Sequence, residues 1–180
     1  MILNSVEAEK KGLDQVASLM CVAARTAPKT KGRDSLVTLV VTGEDMGRIS
    51  AELRKIAKEN DSYFFERDAN CVDASGAIVL LGQRNAQLDL PVCGFCGYKD
   101  CAECVKAGAM CALNSCDLGI AACSAAAVAA HHYVDNRIMF TIGRAALNLG
   151  IFNDEKVTMA YGIPLSVSSK SPFFDRPAAH

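Results

Sequence analysis

Three cysteines lie close together in the middle of the chain, in the run CGFCGYKDC. This run places Cys93, Cys96 and Cys101 with two and then four residues between them. Glycines follow the first two cysteines and permit the tight turns and close backbone approach that a loop around an inorganic centre needs. In iron–sulfur proteins, closely spaced thiolates reach different irons while backbone N–H groups turn toward the sulfurs. The run therefore predicts a metal centre, with a [4Fe–4S] cluster as the favoured occupant.

A cubane cluster needs a fourth ligand, and several cysteines follow the run. Cys104 would complete the set within a short stretch, but it lies so close to Cys101 that one helical turn can hold both. Cys111 lies further along the chain and can fold back onto the cluster from the opposite side, so it is the favoured fourth ligand. Cys116 is the second choice, and Cys104 remains an alternative. The predicted ligands are therefore Cys93, Cys96, Cys101 and Cys111.

Zinc is the alternative occupant of these cysteines. A zinc ribbon joins two CxxC knuckles that commonly lie about 12 or more residues apart. Only four residues separate Cys96 from Cys101, which favours a cluster over a ribbon. A zinc-stabilised binding or scaffold module without a redox role nevertheless stays open as the alternative function.

The amino-acid composition indicates which partners and which cellular compartment to expect. The chain has a formal charge of -1 and mixes acids with bases, so it offers no basic stripe for nucleic acid or for an anionic membrane surface. Residues 1–15 lack the apolar core of a secretory signal, which leads us to expect a cytoplasmic protein. Nine cysteines, an odd number, in that reducing compartment favour metal binding over a disulfide framework. The most apolar stretch, residues 118–130, is shorter than the roughly 18 residues that span a bilayer, so we expect a buried helix there.

Hydrophobic periodicity predicts the elements that must position the cysteines. Apolar residues recur at helical spacing in some stretches, while β-branched and continuous apolar runs mark strands in others. The predicted helices cover residues 5–27, 44–58, 117–132 and 136–149, and the predicted strands cover residues 36–41, 77–81 and 157–161. Asp117 is the expected N-cap of the third helix, and Gly150 is the left-handed residue expected to close the fourth.

This order of helices and strands predicts an α/β sandwich, with a mixed sheet covered by helices. No linker rich in Pro, Gly or Ser divides the chain, so we expect a single domain over residues 1–180. The cysteine-rich segment, residues 90–116, is expected to be an embedded cluster-binding loop. The small side chains of residues 121–130 imply that a sheet, a second helix or a sister subunit approaches that helix closely.

Four segments resemble a family of bacterial and archaeal proteins. They are CGFCGYKDC (93–101), DLGIAACSA (117–125), VDNRIMFTIGRAALNLG (134–150) and GIPLSVSSKSPFFDR (162–176). Together they resemble the uncharacterised ferredoxin-domain-containing proteins over nearly the whole chain. The resemblance implies a [4Fe–4S] protein that transfers electrons to a flavin, a substrate or a partner protein.

The order of elements also resembles the flavin-dependent nitroreductase fold. The stretch AARTAPKTKGRDSLVTLVV, the strand AIVLL, the helix that begins with DLG and the late strand before GIP follow one another as in that fold. Its members bind FMN at a homodimer interface. The resemblance therefore implies a homodimer, FMN as a candidate second cofactor and a flavin-dependent oxidoreductase fed by the cluster. The residues that lie where a flavin phosphate site would begin are Arg25, Lys29, Lys31 and Arg33.

Overall fold

The computed structural model describes residues 2–173, so residues 174–176, the end of the GIPLSVSSKSPFFDR segment, lie outside it. In chain order the helices, labelled α1 to α6, span Ser5–Thr26, Glu44–Asn60, Tyr63–Asp73, Cys101–Lys106, Ala112–His131 and Phe140–Asn148. The strands, labelled β1 to β4, span Leu36–Val41, Ala77–Arg84, Asp135–Asn136 and Val157–Ser166. The predicted α1, β1 and α2 are confirmed to within two residues at every end.

The four strands form one sheet in the order β1-β2-β4-β3, which confirms the α/β class. All three pairings between these strands are antiparallel, whereas a mixed sheet was expected. The difference has a topological cause. Two helices, α2 and α3, connect β1 to β2; an even number of helices returns the chain to the end at which β1 finished, so β2 runs back antiparallel.

Helices cover both faces of the sheet, as the sandwich prediction requires. Along β2 the side chains alternate between the faces: Ile78 and Leu80 belong to a core with α2, α3 and α6. Val79 and Leu81 belong to a second core with α1 and α5. Every residue of β2 except the last is buried, so this strand is the rigid centre of the molecule.

Helix α3 is absent from the sequence prediction. Residues 63–73 form α3, which packs closely on α2 and buries Phe65, Ala69 and Val72. Only these few apolar positions mark the helix in the sequence, and polar side chains interrupt them. Its stability therefore depends on the partner helix, which a short periodicity window does not reveal.

Two predicted helix starts are wrong, and both errors have local causes. Helix α5 begins at Ala112 with Cys111 as its N-cap, so Asp117 lies inside the helix. There its buried carboxylate accepts hydrogen bonds from the Thr30 N–H (3.0 and 3.1 Å) and the Thr30 hydroxyl (2.9 Å). Helix α6 begins at Phe140 because residues 135 and 136 form β3; it ends as predicted, with Gly150 at a φ of 64°.

Helix α5 is also longer than the apolar stretch seen in the sequence. With 20 residues it is long and apolar enough to cross a membrane by those two criteria alone. Core helices meet the same criteria, and α5 buries Leu118, Ala121 and Ala125 against the sheet. The helix thus gives only weak evidence for a membrane span.

Candidate metal centre

Five cysteines surround one small cavity between the loop after β2 and the start of α5. All four predicted ligands line it, together with one further cysteine: Cys93, Cys96, Cys101, Cys104 and Cys111. Cys116, the second choice as fourth ligand, is exposed on α5 and does not line the cavity. The structure therefore brings the predicted ligands together, while their role as ligands stays a prediction.

The thiols lie at different depths in this cavity. Cys93 is exposed, Cys96 and Cys101 are half-buried, and Cys104 and Cys111 form the buried floor. The cavity has a volume of about 20 Å³, which is room for about one water molecule. A cubane therefore fits only if the sulfurs move apart. The irregular, exposed backbone of residues 93–100 can permit such a movement.

The loop and the short helix α4 follow from local sequence. Gly94 and Gly97 adopt φ values of 64° and 85°, a conformation that residues with a Cβ rarely adopt. Asp100 caps α4, because its carboxylate accepts the Glu103 N–H at 2.9 Å, and the Glu103 carboxylate accepts the Lys99 N–H at 3.2 Å. This reciprocal capping fixes the helix that carries Cys101 and Cys104 on one turn, as the sequence suggested.

Polar residues just beyond the end of β2 support the floor of the cavity. The Asn85 side chain donates to the Ala109 carbonyl (3.2 Å) and accepts the Cys111 N–H (3.2 Å). The Gln87 amide donates to the same Ala109 carbonyl (3.3 Å) and lies 3.9 Å from the Cys104 sulfur. Among residues 2–173, Gln87 is the one lining residue of this cavity outside residues 93–113.

Cys104 differs from the other four cysteines in its contacts. Its sulfur lies 3.6 Å from the Ala109 carbonyl oxygen and 3.8 Å from the Met110 carbonyl oxygen, and a protonated thiol can donate its single hydrogen bond to either of them. Burial raises the pKa of the Cys104 thiol, and the neighbouring sulfurs of Cys96 and Cys111 raise it further, against a lowering by the Gln87 amide. These surroundings favour the thiol over the thiolate that a metal ligand requires.

Cys111 lies at the start of a long helix, unlike Cys104. As the N-cap of α5 it lies at the positive end of a 20-residue helix, and its sulfur makes no capping hydrogen bond. A helix N-terminus stabilises a nearby negative charge. The role of Cys111 as fourth ligand stays a prediction, which its position at this helix start supports.

The four predicted phosphate-binding residues contact protein atoms. Arg25 pairs with Asp34 at 2.5 Å, and Lys29 Nζ donates to carbonyls at the end of α1. Lys31 Nζ donates to the Leu88 carbonyl (2.9 Å) and the Arg33 guanidinium donates to the Gln87 carbonyl (3.1 Å). Burial alone would raise the pKa of Asp34, but the hydrogen bonds from Arg25 and the Leu36 N–H hold it below its ordinary value. This arrangement does not fit a phosphate site made by these four side chains.

The remaining cysteines do not belong to the cavity. Cys21 and Cys71 pack in the two cores or beside them, and Cys123 is exposed on α5. Within residues 2–173 no group of three or more His, Cys, Asp or Glu side chains is arranged to hold a single metal ion.

Asn85 and Gln87 were not predicted as site residues, although one signal in the sequence could have revealed them. Polar residues recur at every second position, in Gln83, Asn85 and Gln87, directly after a buried strand. Alternating residues of an extended segment point to one side, and amides placed there are suited to bind the backbone of a neighbouring loop.

The amino-acid sequence matches a family model over part of its length and a known protein over nearly all of it. A family model described as "Uncharacterized protein containing a ferredoxin domain" matches residues 107–176, which include Cys111 but not the run of residues 93–101. An uncharacterised protein of Archaeoglobus fulgidus is 41% identical over 184 aligned residues, which cover 98% of each chain.

The fold is similar to that of solved nitroreductases. A nitroreductase with bound FMN from Desulfitobacterium hafniense superposes with a TM-score of 0.63 at 14% identity, over 87% of this chain and 79% of that one. The FMN-dependent nitroreductase from Mycobacterium smegmatis, in complex with NADPH, gives 0.59 at 12% identity, over 93% and 85%. At this identity the likeness shows the fold alone, and it confirms the predicted nitroreductase-like architecture. The relationship over the full sequence shows that the chain belongs to the family of uncharacterised proteins containing a ferredoxin domain.

Proposed function

We propose that this protein is an iron–sulfur redox protein with one [4Fe–4S] cluster. The observation that carries the proposal is the convergence of five cysteines on one cavity. We assign Cys93, Cys96, Cys101 and Cys111 as the ligands, because the sulfur of Cys104 faces two carbonyl oxygens. The membership of a family named for a ferredoxin domain supports the redox role.

The chain's own residues would hold the cluster and limit its contact with water. A [4Fe–4S] cluster supplies one-electron transfer when bound. The floor residues Cys104 and Gln87 would exclude solvent from the inner side, while the exposed Cys93 marks the side nearest to solvent. Electrons would enter or leave from that side, to a redox partner protein or a small-molecule acceptor. We further propose the cytoplasm as the compartment, since it keeps unliganded thiols reduced.

Metal and sulfide analysis of one anaerobically purified sample tests this proposal. We expect about four irons and about four acid-labile sulfides per chain, with an absorbance that bleaches on reduction by dithionite. Purification in air serves as a comparison, because an exposed thiolate such as Cys93 leaves the cluster open to oxidants. Iron and sulfide absent from the anaerobic sample, and absent after reconstitution with iron and sulfide, would contradict the proposal.

The same sample decides the alternative, a zinc-stabilised binding or scaffold module. A structural zinc would bind deprotonated cysteines from the same set and contribute to folding. About one zinc per chain without iron or sulfide would establish this alternative and end the redox proposal. Removing zinc with a chelator should then unfold the residues around the cavity.

A flavin-dependent oxidoreductase fed by the cluster is the second candidate function. Its support is the fold, which the chain shares with proteins that contain FMN. The contacts of Arg25, Lys29, Lys31 and Arg33 do not favour a phosphate site at those residues. Release of FMN on heating the anaerobic sample would support this function, and reconstitution with excess FMN that leaves no bound flavin would contradict it.

We also propose that the protein forms a homodimer through α5. One face of this helix is exposed and carries Cys116, Ile120 and Cys123, with small residues between them that permit close approach. Analytical ultracentrifugation should give twice the 19.1 kDa mass of one chain. Replacing Ile120, which is 43% exposed, by lysine should shift the mass to that of a monomer. A monomeric wild-type protein at micromolar concentration would contradict the proposal.

A further inference from the structure

The carbonyl of Ala109 receives an unusual number of side-chain hydrogen bonds. Asn85 Nδ2 donates to it at 3.2 Å and Gln87 Nε2 at 3.3 Å, while the Cys104 thiol lies at 3.6 Å. A carbonyl oxygen has two lone pairs, so the Asn85 and Gln87 amides alone can occupy both of them. Ala109 lies two residues before Cys111, and its carbonyl therefore fixes the turn that delivers this cysteine to the cavity.

A second contact reaches Cys111 itself. The Oδ1 atom of Asn85 accepts the backbone N–H of Cys111 at 3.2 Å. One side chain thus binds both ends of the turn formed by residues 109–111. Because Cys111 is also the N-cap of α5, its N–H has no partner inside the helix and depends on such a side chain.

Hydrogen bonds hold the backbone of the segment that carries Asn85 and Gln87. The Arg84 N–H donates to the Ser35 carbonyl and the Asn85 N–H to the Lys156 carbonyl, both at 3.0 Å. The Ala86 N–H donates to Asn114 Oδ1 at 2.8 Å, and Asn114 lies in the first turn of α5. The backbone that follows β2 is therefore joined to its neighbours in the sheet and to the helix that begins at the cavity.

We infer that Asn85 is the positioning residue for the fourth cysteine of the site, and that Gln87 assists it. Asn85 sets where the Cys111 sulfur lies by holding both ends of the turn to the central strand. Gln87 adds a second donor to the same carbonyl and closes the cavity beside Cys104. The inference deepens the proposed function and rests on it as far as Cys111 is a cluster ligand; the geometry of the turn does not depend on a cluster.

The experiment compares Asn85→Leu and Gln87→Leu with a matched control, Asn148→Leu. Asn148 is an exposed asparagine of α6 whose amide contacts Glu52, away from the cysteine cavity. The first measurement uses the cluster-free protein, in which the rate of Cys111 alkylation is followed by peptide mass spectrometry. We expect Asn85→Leu to raise this rate about tenfold, the effect of losing a hydrogen bond of ordinary strength. Gln87→Leu should raise it less, and Asn148→Leu should leave it unchanged.

The second measurement uses the reconstituted protein. With Cys111 displaced, Asn85→Leu should hold less iron per chain than the wild-type protein, while Asn148→Leu should hold the wild-type amount. Far-UV circular dichroism monitors folding. If Asn85→Leu does not fold, Asn85→Ala replaces it: alanine removes both hydrogen bonds without adding bulk or charge, so the alkylation rate should rise as expected for Asn85→Leu.

The outcomes separate this inference from the proposed function. A folded Asn85 variant with the alkylation rate of the Asn148→Leu control would overturn the positioning role, whatever metal the wild-type protein holds. A wild-type chain without iron would end the redox proposal, while a raised Cys111 alkylation rate in the cluster-free Asn85 variant would still establish the positioning role.

Discussion

Replacement of Cys111 by alanine is expected to remove the cluster, while replacement of Cys104 by alanine leaves it bound. Both thiols are buried on the floor of one cavity, yet only Cys111 lies at a helix N-terminus, where a thiolate is stabilised. Alanine has a methyl group in place of the thiol, so it cannot form the bond to iron that the fourth ligand supplies. Iron per chain should fall in Cys111→Ala to below about one quarter of the wild-type content and stay within about a fifth of it in Cys104→Ala.

The comparison of two alanine variants in one cavity controls for loss of packing. Cys104 is 1% exposed and Cys111 is 7% exposed, so truncation costs similar buried area at the two positions. Cys116→Ala is the third arm, because Cys116 is exposed and outside the cavity; it should retain the full iron content. Loss of iron from Cys104→Ala, with iron retained in Cys111→Ala, would show that Cys104 and not Cys111 is the fourth ligand. The proposal of a cluster would then still stand.

Much of this site could be predicted because cluster ligation depends on a local pattern. Cys93, Cys96 and Cys101 share one short loop, and the glycines between them indicate the turns that the backbone makes. The fourth ligand was harder to assign, because Cys104, Cys111 and Cys116 all lie close enough in sequence to reach the loop of the first three. Only the fold shows that Cys104 and Cys111 line the cavity and that Cys116 is exposed outside it.

The supporting residues could not be assigned with the same certainty. Asn85 and Gln87 act on a turn more than 20 residues downstream, and no spacing rule connects an amide with a carbonyl at that distance. Asp117 illustrates the same limit. Its residue type suits a helix N-cap, but the carboxylate contacts Thr30, 87 residues away in the chain, and the helix begins one and a half turns earlier.

The sheet was assigned wrongly in one respect because a single helix was missed. Without α3, one helix would connect β1 to β2 and the two strands would run parallel, as in a mixed sheet. Helix α3 supplies the return that makes them antiparallel. Apolar periodicity detects long amphipathic helices such as α1, whereas an 11-residue helix held by its neighbour gives little signal.

Replacement of Gly143 by alanine is expected to destabilise the protein more than the same change at the other helical glycines, Gly12, Gly47 and Gly119. Gly143 lies in α6 where the helix presses on β4, and a Cβ there would lie 1.9 Å from the Ala160 carbonyl oxygen and 2.9 Å from the Tyr161 nitrogen. These are backbone atoms of a paired strand, so no side chain can rotate away. Helix and strand must separate, and we expect a loss of about 3 kcal/mol or more in the free energy of unfolding.

Urea unfolding of Gly143→Ala and Gly12→Ala, both in the cluster-free form, measures this effect against a matched control. Gly12 lies in the exposed face of α1, and nothing lies within 4 Å of an added Cβ. There the methyl group only restricts the unfolded chain and favours the helix, so Gly12→Ala should gain about 0.5 to 1 kcal/mol. The two changes are chemically identical, so opposite effects on the free energy of unfolding would be due to the close approach of α6 to β4. Equal stability of the two variants would show that α6 and β4 do not pack as closely as described. The position of the sheet that supports Asn85 would then have to be revised as well.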